Sequence, residues 1–257
     1  MVSAARSLSA TRAYLRPRSY VAVKGRDAAD LLQRLLSNDV LAGESCEALI
    51  LTPKGRVIAP LLVWRRADED FLLLTEPELG ETVRSHLARM RFASKCEIKI
   101  EEHSSTIVFG EARGIPTDDY GEPATEVVDA GIEAETADDE LERLRILART
   151  PRWGHEIDET ILPAEAGLDE RAVSFTKGCF PGQEPVARLH NRGHANRTLR
   201  VLELDGDPVP GGFEIVHEGR TVGRVTSAVP GLALGYVRVE VPAGAEVEVA
   251  GQTARIH

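Results

Sequence analysis

The sequence predicts an α+β protein that ends in a small all-β barrel. Three observations carry this. In the first 110 residues, apolar runs of strand character flank two stretches whose apolar residues recur at helical spacing. From Thr198 onward the chain changes to five short alternating runs separated by Gly, Pro and Asp, with no helical period. A length of 257 residues also exceeds the usual size of one compact unit, which implies two or three domains.

Taken in order, residues 20–23 (Tyr-Val-Ala-Val) read as a strand ending at Gly25. Asp27 can then cap a helix that carries Leu31, Leu32, Leu35 and Leu36 on one face and stops near Ser37-Asn38-Asp39. A meander follows, with strands at 48–51, 56–64 and 71–74 and a turn at 52–55. Pro77 suits the start of a second helix, with Leu79, Val83, Leu87 and Met90 on its inner face. Residues 95–101 alternate Cys96, Ile98 and Ile100 with charged residues, so they form a half-buried strand with Cys96 in the core. Residues 106–109 form another strand. Strands flanking helices in this order suggest an α+β sandwich. Residues 113–132 are loop-rich. Thr136 with Asp139 resembles a capping box opening a helix over 138–148, with Leu141, Leu144 and Leu147 or Ala148 inward. The barrel strands are expected at 199–204, 213–217, 221–227, 233–239 and 246–249.

The formal charge of −10 argues against general nucleic-acid binding. No apolar run approaches the ~20 residues of a membrane span. Cys46, Cys96 and Cys179 lie far apart, an odd and sparse set that argues for reduced thiols in a cytosol-like compartment. Charge is unevenly distributed. Residues 101–142 hold fourteen acids and one base, Arg113. Residues 171–200 hold six bases and one acid, Glu184. The second stretch is a basic island on an acidic protein, read as a pocket for a small anion. The first 26 residues hold six bases and no acid, a composition that resembles a mitochondrial presequence but is read as a short basic tail before the first strand.

The basic island contains the most shaped segment of the chain, Lys177-Gly178-Cys179-Phe180-Pro181-Gly182-Gln183-Glu184. Gly178 and Gly182 permit backbone angles and close approaches that a Cβ forbids, and Pro181 fixes one φ. Lys177 is two residues from Cys179, and an ammonium near a thiol favours the thiolate. A helix starting at Gln183 adds to that effect. The alternative is a tight turn around a buried, inert cysteine. His190 and His194 have H-x3-H spacing, but a loop between them and the lack of further ligands argue against a metal site.

These eight residues closely resemble the KGC(Y/F)xGQE signature of the YgfZ family, the folate-binding relatives of the glycine-cleavage aminomethyltransferase (T-protein). Residues 186–189 and Arg192-Gly193 fit the same family. Residues 20–40 with Ser37-Asn38-Asp39 are similar to the first strand and helix of the T-protein superfamily, and residues 51–57 resemble its following hairpin. Residues 144–158 and 162–168 match the approach to the signature, so the resemblance covers most of 18–240. It implies a T-protein-like arrangement of three domains around a central channel that holds tetrahydrofolate or a one-carbon derivative. The first domain would be split, 1–50 and 114–198, around an inserted α+β domain at 51–113, with the barrel at 199–257. It implies Cys179 and Lys177 as catalytic residues, and Asn38, Lys177, Gly178, Gln183, Glu184 and Arg192 as folate contacts.

Two departures are visible. T-proteins usually carry an acidic pair on the strand after the first hairpin, where this chain has Ala59 and Pro60, which cannot titrate. They also commonly carry a pterin-contacting glutamate where this chain has Leu147. The resemblance therefore implies a tetrahydrofolate-binding protein acting in iron–sulphur cluster assembly or repair, with iron–sulphur proteins or their assembly factors as partners. Its alternatives are a folate-dependent one-carbon transferase and a scaffold without folate. A cytoplasmic location is expected, with the mitochondrial matrix as the alternative.

Overall fold

The structure is a computed structural model that describes residues 12–110, 112–136, 139–193 and 195–257, with Arg192 described by its backbone alone. The first half holds two stacked sheets. Their elements are β1 (Ala13–Leu15), β2 (Ser19–Lys24), α1 (Ala28–Leu35), β3 (Ser45–Leu51), β4 (Val57–Ala67), β5 (Asp70–Thr75), a 3-10 turn (Pro77–Leu79), α2 (Gly80–Met90), β6 (Glu97–Glu101), β7 (Ser105–Phe109), β8 (Ile115–Thr117) and β9 (Ala124–Val128). One sheet runs β3-β4-β5-β2-β6, the other β1-β7-β9-β8. Then come α3 (Asp139–Leu147), a 3-10 turn (Pro163–Glu165), α4 (Leu168–Arg171) and α5 (Gln183–Arg192). The barrel consists of β10 (Arg197–Leu204), β11 (Glu214–His217), β12 (Arg220–Val229), β13 (Leu232–Arg238), β14 (Glu246–Val249) and β15 (Gln252–Ile256).

The packing follows from the apolar periods. Leu31, Leu32 and Leu35 of α1 and Val83 and Leu87 of α2 cover Val21, Val23, Ile50, Phe71 and Leu73 on one face of the five-stranded sheet. The other face, Tyr20, Ala22, Leu62, Leu72 and Leu74, meets Ile115 and Val128 of the four-stranded sheet. The five-stranded sheet is therefore apolar on both sides, which explains the continuous run Phe71-Leu72-Leu73-Leu74. β3 and β4 form one hairpin across the turn at 52–55, so the chain on either side of position 51 shares this sheet. A third core of Leu202, Ile215, Val225, Val237, Val249 and Ile256 fills the barrel.

Three expectations are corrected. The basic start is not a tail from Arg12 onward. β1 joins the four-stranded sheet beside β7, while residues 1–11 lie outside the described residues. The barrel has a sixth strand, β15, which pairs with both β14 and β10. Its polar outward positions, Thr253 and Arg255, mask the alternation, but the ring closes only through it, which removes both free edges. On α3, Leu141 and Ile146 are buried, whereas Leu147 is 51% exposed. Asp138, expected to begin this helix, lies outside the described residues. No helix among the described residues is long and apolar enough to cross a membrane.

Candidate functional site

The signature loop is anchored on the exit of α1. Leu36 leaves the helix in extended conformation, which frees its carbonyl. The Lys177 ammonium donates to Leu36 O at 2.7 Å and Asn38 O at 2.9 Å. Ser37 donates its hydroxyl to Ala172 O and receives Leu49 N–H, and Ser174 N–H bonds Ser37 O. Asn38 donates its side-chain amide to Glu47 O and Arg171 O. Residues 36–38 thus stitch β3 to the strand of chain leading into the signature. Burial lowers the pKa of Lys177 to about 8 against the opposing pull of Asp39, and the direct hydrogen bonds of its ammonium go to the two carbonyls. Its ring neighbour is Phe180, which is buried, with Nζ 5.5 Å from the centroid.

The two signature glycines differ. Gly182 has φ +81°, and a Cβ there would lie 2.5 Å from Thr52 O and 3.1 Å from Gly55 Cα. Only glycine lets α5 start against the β3–β4 turn. Gly178 has open space around the Cβ position and needs no left-handed backbone, so the expectation for it is corrected. Cys179 beside it is exposed and makes no hydrogen bond to a described residue. Gln183 begins α5, and exposed Glu184 pairs with Arg188 at 2.7 Å. Phe175 stacks on His190, centroids 4.0 Å apart. His194 and the Arg192 side chain lie outside the description.

Where the two sheets meet α4 there is a cavity of about 160 Å³. Its walls include Arg16 and Arg18 after β1, Cys46 and Glu47 of β3, Pro60 of β4, Glu76, Asp119 and Arg171. The charges are mutually paired. Arg18 makes a bidentate pair with Glu126, at 3.0 and 2.9 Å. Arg16 faces Asp119 at 3.6 Å and donates to the Tyr120 hydroxyl at 2.6 Å. Arg171 bridges Glu47 and Asp119. Burial raises the carboxyl pKa of Asp119 and Glu126, but the surrounding arginines outweigh it and hold both below the usual range. At Glu47 burial prevails over Arg171, and the pKa is raised. A wider cleft of about 710 Å³ lies beyond, lined by Arg149, Asp169, His190 and Arg200, and it shares Pro151 and Arg171 with the cavity wall.

Neither hollow is lined by Asn38, Lys177, Gly178, Gln183 or Glu184. The structure joins Asn38 and Lys177 to each other, but as struts of the loop. Lys177 does not pair with Cys179. The charged or titratable groups it faces are Asp39 and Cys46. Cys46, two positions before the strand expected at 48–51, sits within β3 and lines the cavity. Burial pushes its thiol up to about 11 despite Lys177. Cys96 is buried, in line with its alternation. Arg16, Arg18 and Arg171 carry no local sign of this role, because their partners Asp119, Glu126 and Glu47 lie 52 to 124 positions away. The acidic run 101–142 was the available signal.

The solved structure of the glycine cleavage system aminomethyltransferase T from Bartonella henselae matches 96% of this chain and 85% of its own, with a TM-score of 0.82 at 19% identity. The fold is that of a T-protein. Residues 196–257 match the family described as CAF17, C-terminal beta-barrel domain. The chain is 24% identical to a mitochondrial iron-sulfur cluster assembly factor IBA57 homolog of Pyricularia oryzae, over 88% of this chain and 71% of that protein. It is 22% identical to an aminomethyltransferase of Bacillus subtilis, over 84% and 74%. Barrel, relatives and fold all support the T-protein superfamily.

Proposed function

We propose that this protein is a YgfZ-type member of that superfamily, which binds a reduced folate in its central cavity and acts in iron–sulphur cluster assembly or repair. The observation that carries the reading is position 60. Pro60 lines the cavity with no carboxylate, and its carbonyl is taken by the Thr75 hydroxyl at 2.8 Å. Its neighbour Ala59 is fully buried in the core under α1. A fold shared with an aminomethyltransferase therefore lacks the acid that the resemblance assigns to aminomethyl transfer, while the signature loop displays a thiol at the surface. The similarity to IBA57 homologues supports the iron–sulphur role. One exposed cysteine can supply at most one cluster ligand, so the chain would hand on or repair a cluster bound elsewhere.

The residues suit tetrahydrofolate in chemistry, with a condition on size. Ligand pockets usually measure about 300–1,000 Å³, so the cavity of about 160 Å³ takes only the ring and the tail must run into the adjoining cleft. Glu47 and Asp119 would accept hydrogen bonds from an amino-substituted ring edge. Arg149 and Arg200 would meet tail carboxylates. Bound folate would supply a carrier for one-carbon units.

Calorimetry with tetrahydrofolate should show binding that weakens with salt and falls about tenfold or more in Arg200→Ala, the loss of one charged contact. No heat from well-folded protein would remove the ligand. Ammonia release from an aminomethylated lipoyl carrier should be absent, and robust turnover would favour a transferase. Thiol alkylation should label Cys179 first, then Cys46 only toward high pH. Cys179→Ala should fold normally yet fail to restore iron–sulphur enzyme activities in a deletion strain, and full complementation would end the role for this thiol.

A further inference from the structure

Strand β6 closes one side of the five-stranded sheet and pairs only with β2, so its outer edge is open among the described residues. An open edge is a template for another strand. Two large apolar side chains stand beside it in water. Ile100 is 43% exposed, and Phe92, in the turn leading to β6, is 80% exposed with φ +46°. A bulky residue held in the left-handed region and left in solvent is a strained arrangement that packing within the chain does not explain.

The sequence of the edge, Lys95-Cys96-Glu97-Ile98-Lys99-Ile100-Glu101, has a reversal symmetry in its charges. Turned antiparallel about Ile98, Lys95 meets Glu101, Cys96 meets Ile100, Glu97 meets Lys99 and Ile98 meets itself. Every charge faces its opposite and every apolar residue faces an apolar one. Shifting the centre to Lys99 sets Glu97 against Glu101 and Lys99 against Lys99. Centring on Glu97 sets Lys95 against Lys99 and Glu97 against itself. A shift of half a step exchanges the two faces. Charged residues on an edge usually block pairing, but here they admit one register and penalise its neighbours.

We propose that β6 is a homotypic docking edge, which pairs antiparallel with β6 of a second copy of this chain in the register centred on Ile98. Only a strand with the same charge order fits, and a second copy supplies it. The exposed bridge between Lys99 and Glu97 of one chain, 2.7 Å, would be exchanged for two bridges across the twofold axis. These central pairs decide the specificity, because Glu101 is already held by Lys24, Arg66 and His103. At one end Arg91 bonds Cys96 O at 3.1 Å and would yield to the partner or frame it.

Sedimentation of the full chain over a concentration series should show a reversible dimer. Glu97→Lys, or Lys99→Glu, sets two like-charge contacts across the axis and should weaken association about tenfold. The double variant Glu97→Lys, Lys99→Glu restores both pairs and should recover the affinity to within about threefold. In a Cys179→Ser background, Ile98→Cys should form an interchain disulfide when oxidised glutathione takes up the two electrons and two protons. Directly opposed residues of an antiparallel pair lie about 4.5–5.5 Å apart, within disulfide range. A monomer at every concentration, a double variant that stays weak, or no cross-link at position 98 would each overturn the proposal.

Discussion

The chain has two concentrations of basic residues, and the structure treats them differently. Arg12, Arg16, Arg18 and Lys24 near the start are paired with acids of the run 101–142: Arg12 with Glu122 and Glu140, Arg16 with Asp119, Arg18 with Glu126 and Lys24 with Glu101. The acidic run is a set of partners across two sheets as much as a solvated face. In the island 171–200, Arg171 and Arg197 are also spent on acids, Glu47 and Asp119 for one and Glu165 for the other. Lys177 is spent on carbonyls, and among the described residues Arg200 bonds Val241 O. Of the island's described side chains, that leaves Arg200, in the wall of the wide cleft, for the proposed anion. Clustering of charge along a chain marks where partners are needed. It does not say whether the partner is a ligand or another segment.

Breaking each region should separate the two kinds of role. The largest effect is expected at Arg18–Glu126, which is almost wholly buried. Glu126→Ala removes the bidentate partner of a buried guanidinium, leaves it only Glu76 at 3.8 Å, and should cost about 3–5 kcal/mol in denaturant unfolding. In the signature region, Lys177→Met strips two carbonyls of a charged donor and should cost about 2 kcal/mol. Cys179→Ala beside it should stay within about 0.5 kcal/mol, as for an exposed site. If Cys179→Ala proves the costlier of the two, the division into strut and displayed thiol fails.

The smallest effect is a pH dependence at His103, where the loop between β6 and β7 joins the two sheets. Its Nδ1 lies 2.6 Å from Asp129 and its Nε2 3.0 Å from Glu101. Both contacts are bonds only when the ring carries two protons. Burial opposes that charge, but the two hydrogen bonds outweigh it and raise the pKa above 6.5. A raised folded value means the contribution is complete below the unfolded pKa and is lost as pH rises through the folded one. Stability should therefore decline through that window on the alkaline side of 6.5. His103→Gln should flatten the decline, and an unchanged slope would assign it to other groups.

Much of this architecture was legible because it rests on local periods. The helical leucines of α1, the continuous run of β5 and the Gly-Pro-Asp breaks of the barrel each follow from the spacing of a few residues. The eight-residue signature was legible as a shaped loop, and Gly182 bears that out. What local pattern could not show was β15, whose apolar residues matter only because two other strands need an edge covered. Nor could it show that Leu147 faces outward, since a nine-residue helix with apolar residues at 141, 144, 146 and 147 allows more than one inner face.

The site divides along the same line. Sequence alone determined the absence of an acid at 59 and 60, the place of Cys179 in a shaped loop and the strands and helices with clear local periods, because residue identity and short-range sterics decide them. Tertiary structure decided that Lys177 serves the exit of α1, that Cys46 reaches the cavity, and that Arg16, Arg18 and Arg171 meet their carboxylates there. The arginine–carboxylate pairings join residues up to 124 positions apart, and their energy comes from burial that exists only once both sheets have stacked.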